Sequence, residues 1–214
     1  MNQDSASIYK LYSIAGTCST AITVLLNKLE QPFTVIQRKD VANYSGIVAT
    51  NQVPALKADN FFLTEGAAIV LYLLERHPST MLPGDIKGRA EFYRWLMFNY
   101  ATLHPAHSKI YGLGHVAESI TTDIQTLMQK LGDNVSTLWT IVNKHLATRE
   151  FMVGDSVSII DYLITIYTGW WQYSPDVDMT RGEHVLRLAK KVSALPEFEM
   201  AFKQENATFK MAGK

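Results

Sequence analysis

Cysteine is almost absent from this sequence, with one residue among 214. A single cysteine permits no disulfide bond within the chain, which indicates a reducing compartment. The 20 basic and 20 acidic residues cancel, so no charge excess draws the chain to nucleic acid or to an anionic membrane. No apolar run reaches the roughly 18 residues of a membrane-spanning helix, and residues 1–7 are polar. We therefore expect a cytoplasmic protein with no nucleic-acid or membrane partner.

Hydrophobic residues make up 47% of the chain and charged residues 19%, which suits one large or two small folded domains. Residues 8–13 and 33–36 are predicted strands on either side of a predicted helix at 19–29. A hairpin with strands at 55–57 and 61–63 precedes a helix at 65–77. This β-α-β, then β-β-α, order is the thioredoxin-like pattern.

Prolines and a glycine at 78–87 indicate a linker, and every later pattern is helical. The sequence thus predicts an α/β domain at 1–77, a linker at 78–87 and an all-helical domain at 88–214. Within the last, Ser158 and Asp161 are spaced as a capping box, in which each side chain serves the other's backbone amide. We expect this box to stabilise the fold.

Two short motifs carry most of the functional information. In Gln52-Val53-Pro54, the proline cannot donate to a sheet and marks a strand start, and the Val53–Pro54 bond is a candidate for the cis isomer. In Glu65-Gly66, an acid stands at the start of a helix, where the helix dipole favours it. Exposed backbone and one carboxylate together suit a ligand that bears both an ammonium and a carboxylate group.

Cys18 follows the first predicted strand and stands where the first helix begins. Amide groups and the helix dipole at such a position favour a thiolate. No second cysteine lies two residues on, so any redox cycle requires a thiol from outside the chain. The alternative is a buried small side chain without reactivity.

These motifs resemble the glutathione-binding half of the cytosolic glutathione transferases, and the run Thr64-Glu65-Gly66-Ala67 is most similar to the bacterial beta class. The resemblance implies a thioredoxin-like domain followed by a helical bundle. It also implies that the backbone of Val53 and Pro54 pairs with the cysteinyl part of glutathione and that Glu65 and Gly66 hold its γ-glutamyl end. Gln52 is a further candidate for glutathione binding. It further implies a cytoplasmic homodimer that serves detoxification.

The same resemblance places Cys18 opposite bound glutathione, where a mixed disulfide can form. Ser13 and Ser19 are candidate donors to the glutathione sulfur, although strand alternation leaves open whether Tyr12 or Ser13 faces the ligand. His104 is a further catalytic candidate, with an interface histidine as the alternative. Pro105 disturbs its spacing from His107, so we expect no metal.

A pocket for a second substrate is expected near Tyr111, Trp170 and Trp171, with core packing as the alternative. The sequence departs from the family where Ala15 replaces a proline and where an expected lysine is missing after the second strand; Arg38 and Lys39 are candidates to substitute for it, with a solvated face as the alternative. The implied function is transfer of glutathione, as co-substrate, to small apolar electrophiles or disulfides. A glutathione-dependent disulfide reductase and a non-catalytic scaffold are the alternatives.

Overall fold

The computed structural model describes residues 9–117 and 119–211. A mixed set of strands and helices comes first, and the described part of the chain is helical or irregular after Thr64. The elements, in order, are β1 (Tyr9–Ser13), α1 (Cys18–Lys28), β2 (Phe33–Gln37), β3 (Ala55–Ala58), β4 (Phe61–Thr64), α2 (Gly66–Arg76), α3 (Ile86–Met97), α4 (His104–Val116), α5 (Thr122–Leu146), α6 (Ile159–Thr168), α7 (Glu183–Ser193) and α8 (Pro196–Gln204).

The four strands form one sheet in the order β2-β1-β3-β4. Strands β1 and β2 are parallel, whereas β3 is antiparallel to both β1 and β4. This topology confirms the predicted β-α-β, then β-β-α, order. The predicted first residue of β1, Ile8, lies outside the described residues.

Local signals explain where these elements begin and end. Ile22, Leu25 and Leu26 of α1 are fully buried, and they lie on one face of the helix by their spacing. Asp59 turns the β3–β4 hairpin with a φ of 51°, a left-handed conformation that Asp tolerates better than most residues. Helix α2 ends before Pro78, because a proline disfavours helical geometry in the residue that precedes it.

The internal contacts of the described chain group it into two compact units. The first comprises residues 9–82 with Ser193–Phe209, and the second comprises Pro83–Val192 with residues 210 and 211. Helix α8 therefore packs with the sheet unit, where Glu197 pairs with Lys28 of α1 at 2.9 Å. Helix α3 begins at Ile86 behind an Asp85 cap, within the segment predicted as a linker.

The predicted capping box is present at the start of α6. Asp161 accepts from the backbone amide of Ser158 and from that of Met152, each at 2.8 Å. It also accepts from the Ser158 hydroxyl at 2.8 Å. This carboxyl is fully buried, and burial raises its pKa to about 6 against the opposing effect of these donors.

Candidate functional site

Cys18 is the first residue of α1, where the turn from β1 presents it to the β3 side of the sheet. Gly16 makes this turn with a φ of 78°, and the Thr17 side chain caps the helix by accepting from Ser19 N. The Cys18 sulfur lies 4.0 Å from the carbonyl oxygen of Val53. The structure therefore brings together two motifs that are 35 residues apart in the sequence.

The expected Cys18 thiolate is not found. Burial, with a smaller contribution from the nearby negative charge of Glu65, raises the pKa of Cys18 to about 12. The backbone amides of Cys18 and Ser19 at the helix start favour the thiolate, but their effect is smaller than that of burial. The prediction of a low pKa was wrong because the sequence shows the helix start and not the 4% exposure of the side chain.

The segment before β3 is held in place by side chains around it. The Val53–Pro54 peptide bond is cis, as predicted. The Tyr44 hydroxyl donates to the carbonyl of Gln52 at 2.8 Å. Arg38 Nε donates to the carbonyl of Asn51 at 3.0 Å, which puts this arginine beside the segment.

Glu65 occupies a strained position at the start of α2. Its φ is 65° and its ψ is 111°, a left-handed conformation that is rare outside glycine. The side chain is exposed, and it makes no capping hydrogen bond to the helix. Gly66 follows as the buried first residue of α2. The carboxylate is thus held near Cys18 and is not used by the end of its own helix.

Ser13 and Ser19 are both fully buried, and their assignment as donors to a substrate thiol stays a prediction. Their hydroxyls lie 2.8 Å apart, and Ser13 donates to Glu205 Oε1 at 2.9 Å. Tyr12 points to the other face of the sheet, where it packs with Tyr44 and the partly buried Val53. Strand alternation therefore puts Tyr12, and not Ser13, on the side of Val53.

Glu205 was missed by sequence reasoning. Its carboxylate accepts from three hydroxyls, those of Ser13, Thr20 at 2.6 Å and Thr23 at 2.5 Å. Burial raises the pKa of Glu205, and the hydrogen bonds from the hydroxyls oppose that rise. Hydroxyls at positions 13, 20 and 23 of otherwise apolar elements signalled that a buried acceptor was needed, although not which residue supplies it.

His104 begins α4 in the second unit, directly after a π-helical turn at Phe98–Leu103. Its ring lies edge-on to Trp170, with ring centres 5.1 Å apart. Its Nδ1 is within hydrogen-bond distance of the Ser108 hydroxyl at 3.2 Å. Burial lowers the pKa of His104, so the neutral ring is favoured at physiological pH.

The predicted pocket residues separate in the structure. Tyr111, which is 52% exposed, lines a pocket of about 230 Å³ together with Tyr173, Ile110 and Met128. Trp170 instead packs on Tyr167, with ring centres 4.1 Å apart. Trp171 donates from Nε1 to the Lys210 carbonyl at 3.3 Å. Neither tryptophan lines this pocket, and both follow the end of α6 in a 3₁₀ turn at Gly169–Tyr173.

Neither a metal-binding cluster nor a membrane-spanning helix is found among the described residues. No cluster of three or more His, Cys, Asp or Glu side chains is arranged to hold a metal ion within residues 9–117 and 119–211. Over the same described ranges, no helix has both the length and the apolar character to cross a bilayer.

No family model matches the chain. Among curated proteins, the chain is 32% identical over 178 residues to glutathione S-transferase GST-4.5 of Xanthomonas campestris pv. campestris, which covers 80% of this chain and 86% of the relative. It is 28% identical over 207 residues to glutathione S-transferase GstA of Escherichia coli O157:H7, covering 92% and 98%. These names assign no class, so the likeness to the beta class stays a prediction.

A third relative carries a different name. The disulfide-bond oxidoreductase YghU of Escherichia coli K12 is 25% identical over 209 residues, covering 87% of this chain and 71% of the relative.

Among solved structures, a sphingomonad glutathione S-transferase complexed with glutathione aligns with a TM-score of 0.78 at 24% identity, covering 93% of this chain and 100% of that one. That structural likeness shows the fold: a thioredoxin-like domain with a helical domain.

Proposed function

The chain belongs to the glutathione S-transferase family, and on this basis we propose that it binds glutathione at the start of α2 and transfers it to a small electrophile. The observation that carries the proposal is that Val53 and Glu65 both lie close to Cys18, at one end of the strands. The strained φ of Glu65 supports it, because such strain persists where a site needs it.

In this proposal the backbone of Val53 pairs with the cysteinyl part of the ligand. The Glu65 carboxylate accepts from the γ-glutamyl ammonium, and the amides that begin α2 at Gly66 face the γ-glutamyl carboxylate. Arg38, beside the same segment, is the candidate partner for the glycyl carboxylate. Each of these contacts joins opposite charges or a donor and an acceptor.

The proposed reaction is attack by the glutathione sulfur. The thiolate forms a bond to the electrophilic carbon, the leaving group departs with its electron pair, and the thiol proton passes to solvent. Holding the thiol at the start of α1 lowers the entropic cost of the encounter. The high pKa of Cys18 supports a substrate thiol, and not Cys18, as the resting nucleophile.

The second candidate is a glutathione-dependent disulfide reductase, in which Cys18 exchanges with the substrate. The name of the YghU relative and the position of Cys18 beside Val53 favour it. A scaffold without catalysis is the third. We also propose a cytoplasmic homodimer serving detoxification, in which His104 is a candidate catalytic residue and the Tyr111 pocket takes a small apolar ligand; sizing chromatography tests the dimer.

Calorimetry with glutathione tests the binding step. We expect heat of binding for the native chain, a loss of affinity of about tenfold or more for Glu65→Gln, and no loss for Glu75→Gln. Glu75 is the matched control because it is an exposed acid of the same helix. No heat at millimolar glutathione would leave only the scaffold.

Turnover assays separate the two enzymatic candidates. The native chain and Cys18→Ala are compared on a chlorinated dinitrobenzene and on a glutathionylated peptide. Conjugation that survives in Cys18→Ala supports the transferase. If the native chain turns over the glutathionylated peptide but not the chlorinated dinitrobenzene, and Cys18→Ala abolishes that turnover, the reductase replaces the transferase as the proposed function.

A further inference from the structure

Three buried polar side chains come from neighbouring segments of the helical unit, outside every residue used above for glutathione transfer. They are Arg181 from the segment before α7, Trp139 from the middle of α5 and His107 from α4, and we name them the buried donor cluster. Their exposed fractions are 3%, 0% and 6%. The Thr180 amide next to Arg181 contacts α5 at Ser136, one turn before Trp139. The rings of His107 and Trp139 have centres 6.0 Å apart, and the charge of Arg181 reaches His107 strongly enough to lower the pKa of that histidine.

The cluster has donors without acceptors in the described part of the chain. Arg181 Nη1 donates to the Met179 carbonyl at 2.8 Å, but Arg181 Nε and Nη2 have no partner there. Trp139 Nε1 has none either, and His107 Nε2, which donates or accepts according to the tautomer of the neutral ring, also lacks a partner there. Arginine and tryptophan can only donate, so whatever completes the cluster must accept hydrogen bonds.

The charge of the cluster is also uncompensated. Burial lowers the pKa of Arg181 to about 10, which still leaves the guanidinium charged at neutral pH. Burial lowers the pKa of His107 to about 3, so its ring is neutral. Asp178 is the acid that acts on Arg181, but it is exposed and forms no ion pair with Arg181 in the described residues. One buried positive charge therefore lacks a counter-charge in contact with it, which is costly.

The backbone around Arg181 is anchored, so its burial is built into the fold. Gln129 of α5 donates to the Asp178 carbonyl at 3.1 Å and accepts from the Asp178 amide at 3.0 Å. Ser136, two turns on, accepts from Thr180 N at 3.1 Å. Gly132 lies between them, and a Cβ there would meet the Val177 side chain at 2.4 Å, so only glycine lets the segment come this close.

We propose that the buried donor cluster binds one small monovalent anion, such as chloride, inside the helical unit. The donors require an acceptor, the single charge of Arg181 matches a monovalent ion, and the burial of all three side chains favours a small one. The ion would complete the hydrogen bonds of Arg181 and hold the segment before α7 against α5. This inference is independent of whether the chain transfers glutathione.

Bromide is the probe, because it replaces chloride and is visible by anomalous diffraction. Crystals of the full chain grown in sodium bromide are expected to show an anomalous peak within hydrogen-bond distance of Arg181 and Trp139. A map in which this position holds no bromide peak, with density fitting water alone, would overturn the proposal.

Thermal unfolding gives an independent test in solution. At constant ionic strength, exchange of sodium gluconate for sodium bromide is expected to raise the Tm of the native chain by about 2–4 °C and then to saturate. Arg181→Met should abolish the rise, and Arg187→Met, which removes an exposed arginine, should keep it. If Arg181→Met fails to fold, Trp139→Phe takes its place, with a smaller rise expected. An equal rise in the variant and the native chain would overturn the proposal.

Discussion

The two units each bury a polar group, but they complete its hydrogen bonds in opposite ways. In the first unit, Glu205 accepts from the hydroxyls of Ser13, Thr20 and Thr23. In the second, Arg181 and its neighbours in the buried donor cluster have donors left over within the described residues. One group is complete within the protein, whereas the other has capacity for a ligand.

The difference teaches what a buried polar group contributes to each unit. A network in which every donor meets an acceptor holds its elements together, and removing one member leaves the others unsatisfied. A group with surplus donors carries that cost already, so removing one of its members relieves it. Stability measurements should therefore respond with opposite sign to the loss of Glu205 and to the loss of Arg181.

The largest effect is expected for Glu205→Ala. The variant leaves three buried hydroxyls without their acceptor, which should lower the free energy of unfolding by about 3 kcal/mol. Urea denaturation measures this loss. Glu199→Ala, which removes an exposed acid of α8, the helix that Glu205 caps, is the control and should change little. A loss below about 1 kcal/mol for Glu205→Ala would show that the network does not hold α8 to α1.

The second effect depends on pH. The pKa of His107 is lowered to about 3 in the folded chain and is about 6.5 in an unfolded one. The unfolded chain therefore takes up the proton first, so the contribution of His107 to stability is complete above pH 6.5 and is lost as pH falls toward 3. We expect a loss of about 2 kcal/mol between pH 6.5 and 5 from this group.

The slope of unfolding free energy against pH checks this expectation. His107→Phe should flatten the slope in that window, because the phenyl ring keeps the contact with Trp139 and does not titrate. His115→Gln is the control, since His115 is exposed on the same helix. Identical slopes for the native chain and His107→Phe would contradict the assignment.

A third, smaller effect tests what decides the sign of the change in unfolding free energy. It asks whether the sign depends on a buried group having its hydrogen-bond partners, and not on the unit that contains the group. Asp161 is a buried acid of the second unit whose donors are in place. Ser158→Ala removes one of them and should cost about 1 kcal/mol of unfolding free energy. Ser156→Ala, at an exposed position nearby, should cost less than half of that. Equal values for the two serines would mean that the capping box does not stabilise α6.

The smallest effect is expected for Arg181→Met in sodium gluconate. Exchanging an uncompensated buried charge for an apolar side chain of similar length should be neutral or slightly stabilising, within about 1 kcal/mol. Urea denaturation in parallel with Glu205→Ala gives the direct contrast. A destabilisation of about 3 kcal/mol by Arg181→Met would mean that Arg181 stabilises its unit as Glu205 does. That result would contradict the expected difference between the two buried groups.

The features predicted correctly from sequence are those set by near neighbours. The Val53–Pro54 cis bond, the turn at Asp59 and the capping box of Ser158 and Asp161 each depend on a few adjacent residues. The helical face of α1 follows from spacing alone. Short-range chemistry of this kind is fully present in the sequence, so the sheet and its order could be inferred from it.

Predictions that depended on burial met a different outcome. Cys18 stands at a helix start, as expected, but its pKa rises because the surrounding chain excludes water. Ser13 turns inward to Glu205, an acid 192 residues away in the sequence that no local pattern identifies, and the Ser19 hydroxyl contacts that of Ser13. Trp170 packs on His104 and Tyr167 and does not line the pocket at Tyr111.

Residue order alone was enough to establish the strands, the helices and the motifs at Val53 and Glu65, because backbone geometry responds to adjacent side chains. Only the folded chain decided which polar groups are paired. It also decided that the Cys18 thiol stays protonated and that the Arg181 guanidinium stays charged. Desolvation is the reason, because its size depends on every atom that surrounds a group and not on the group's neighbours in the sequence.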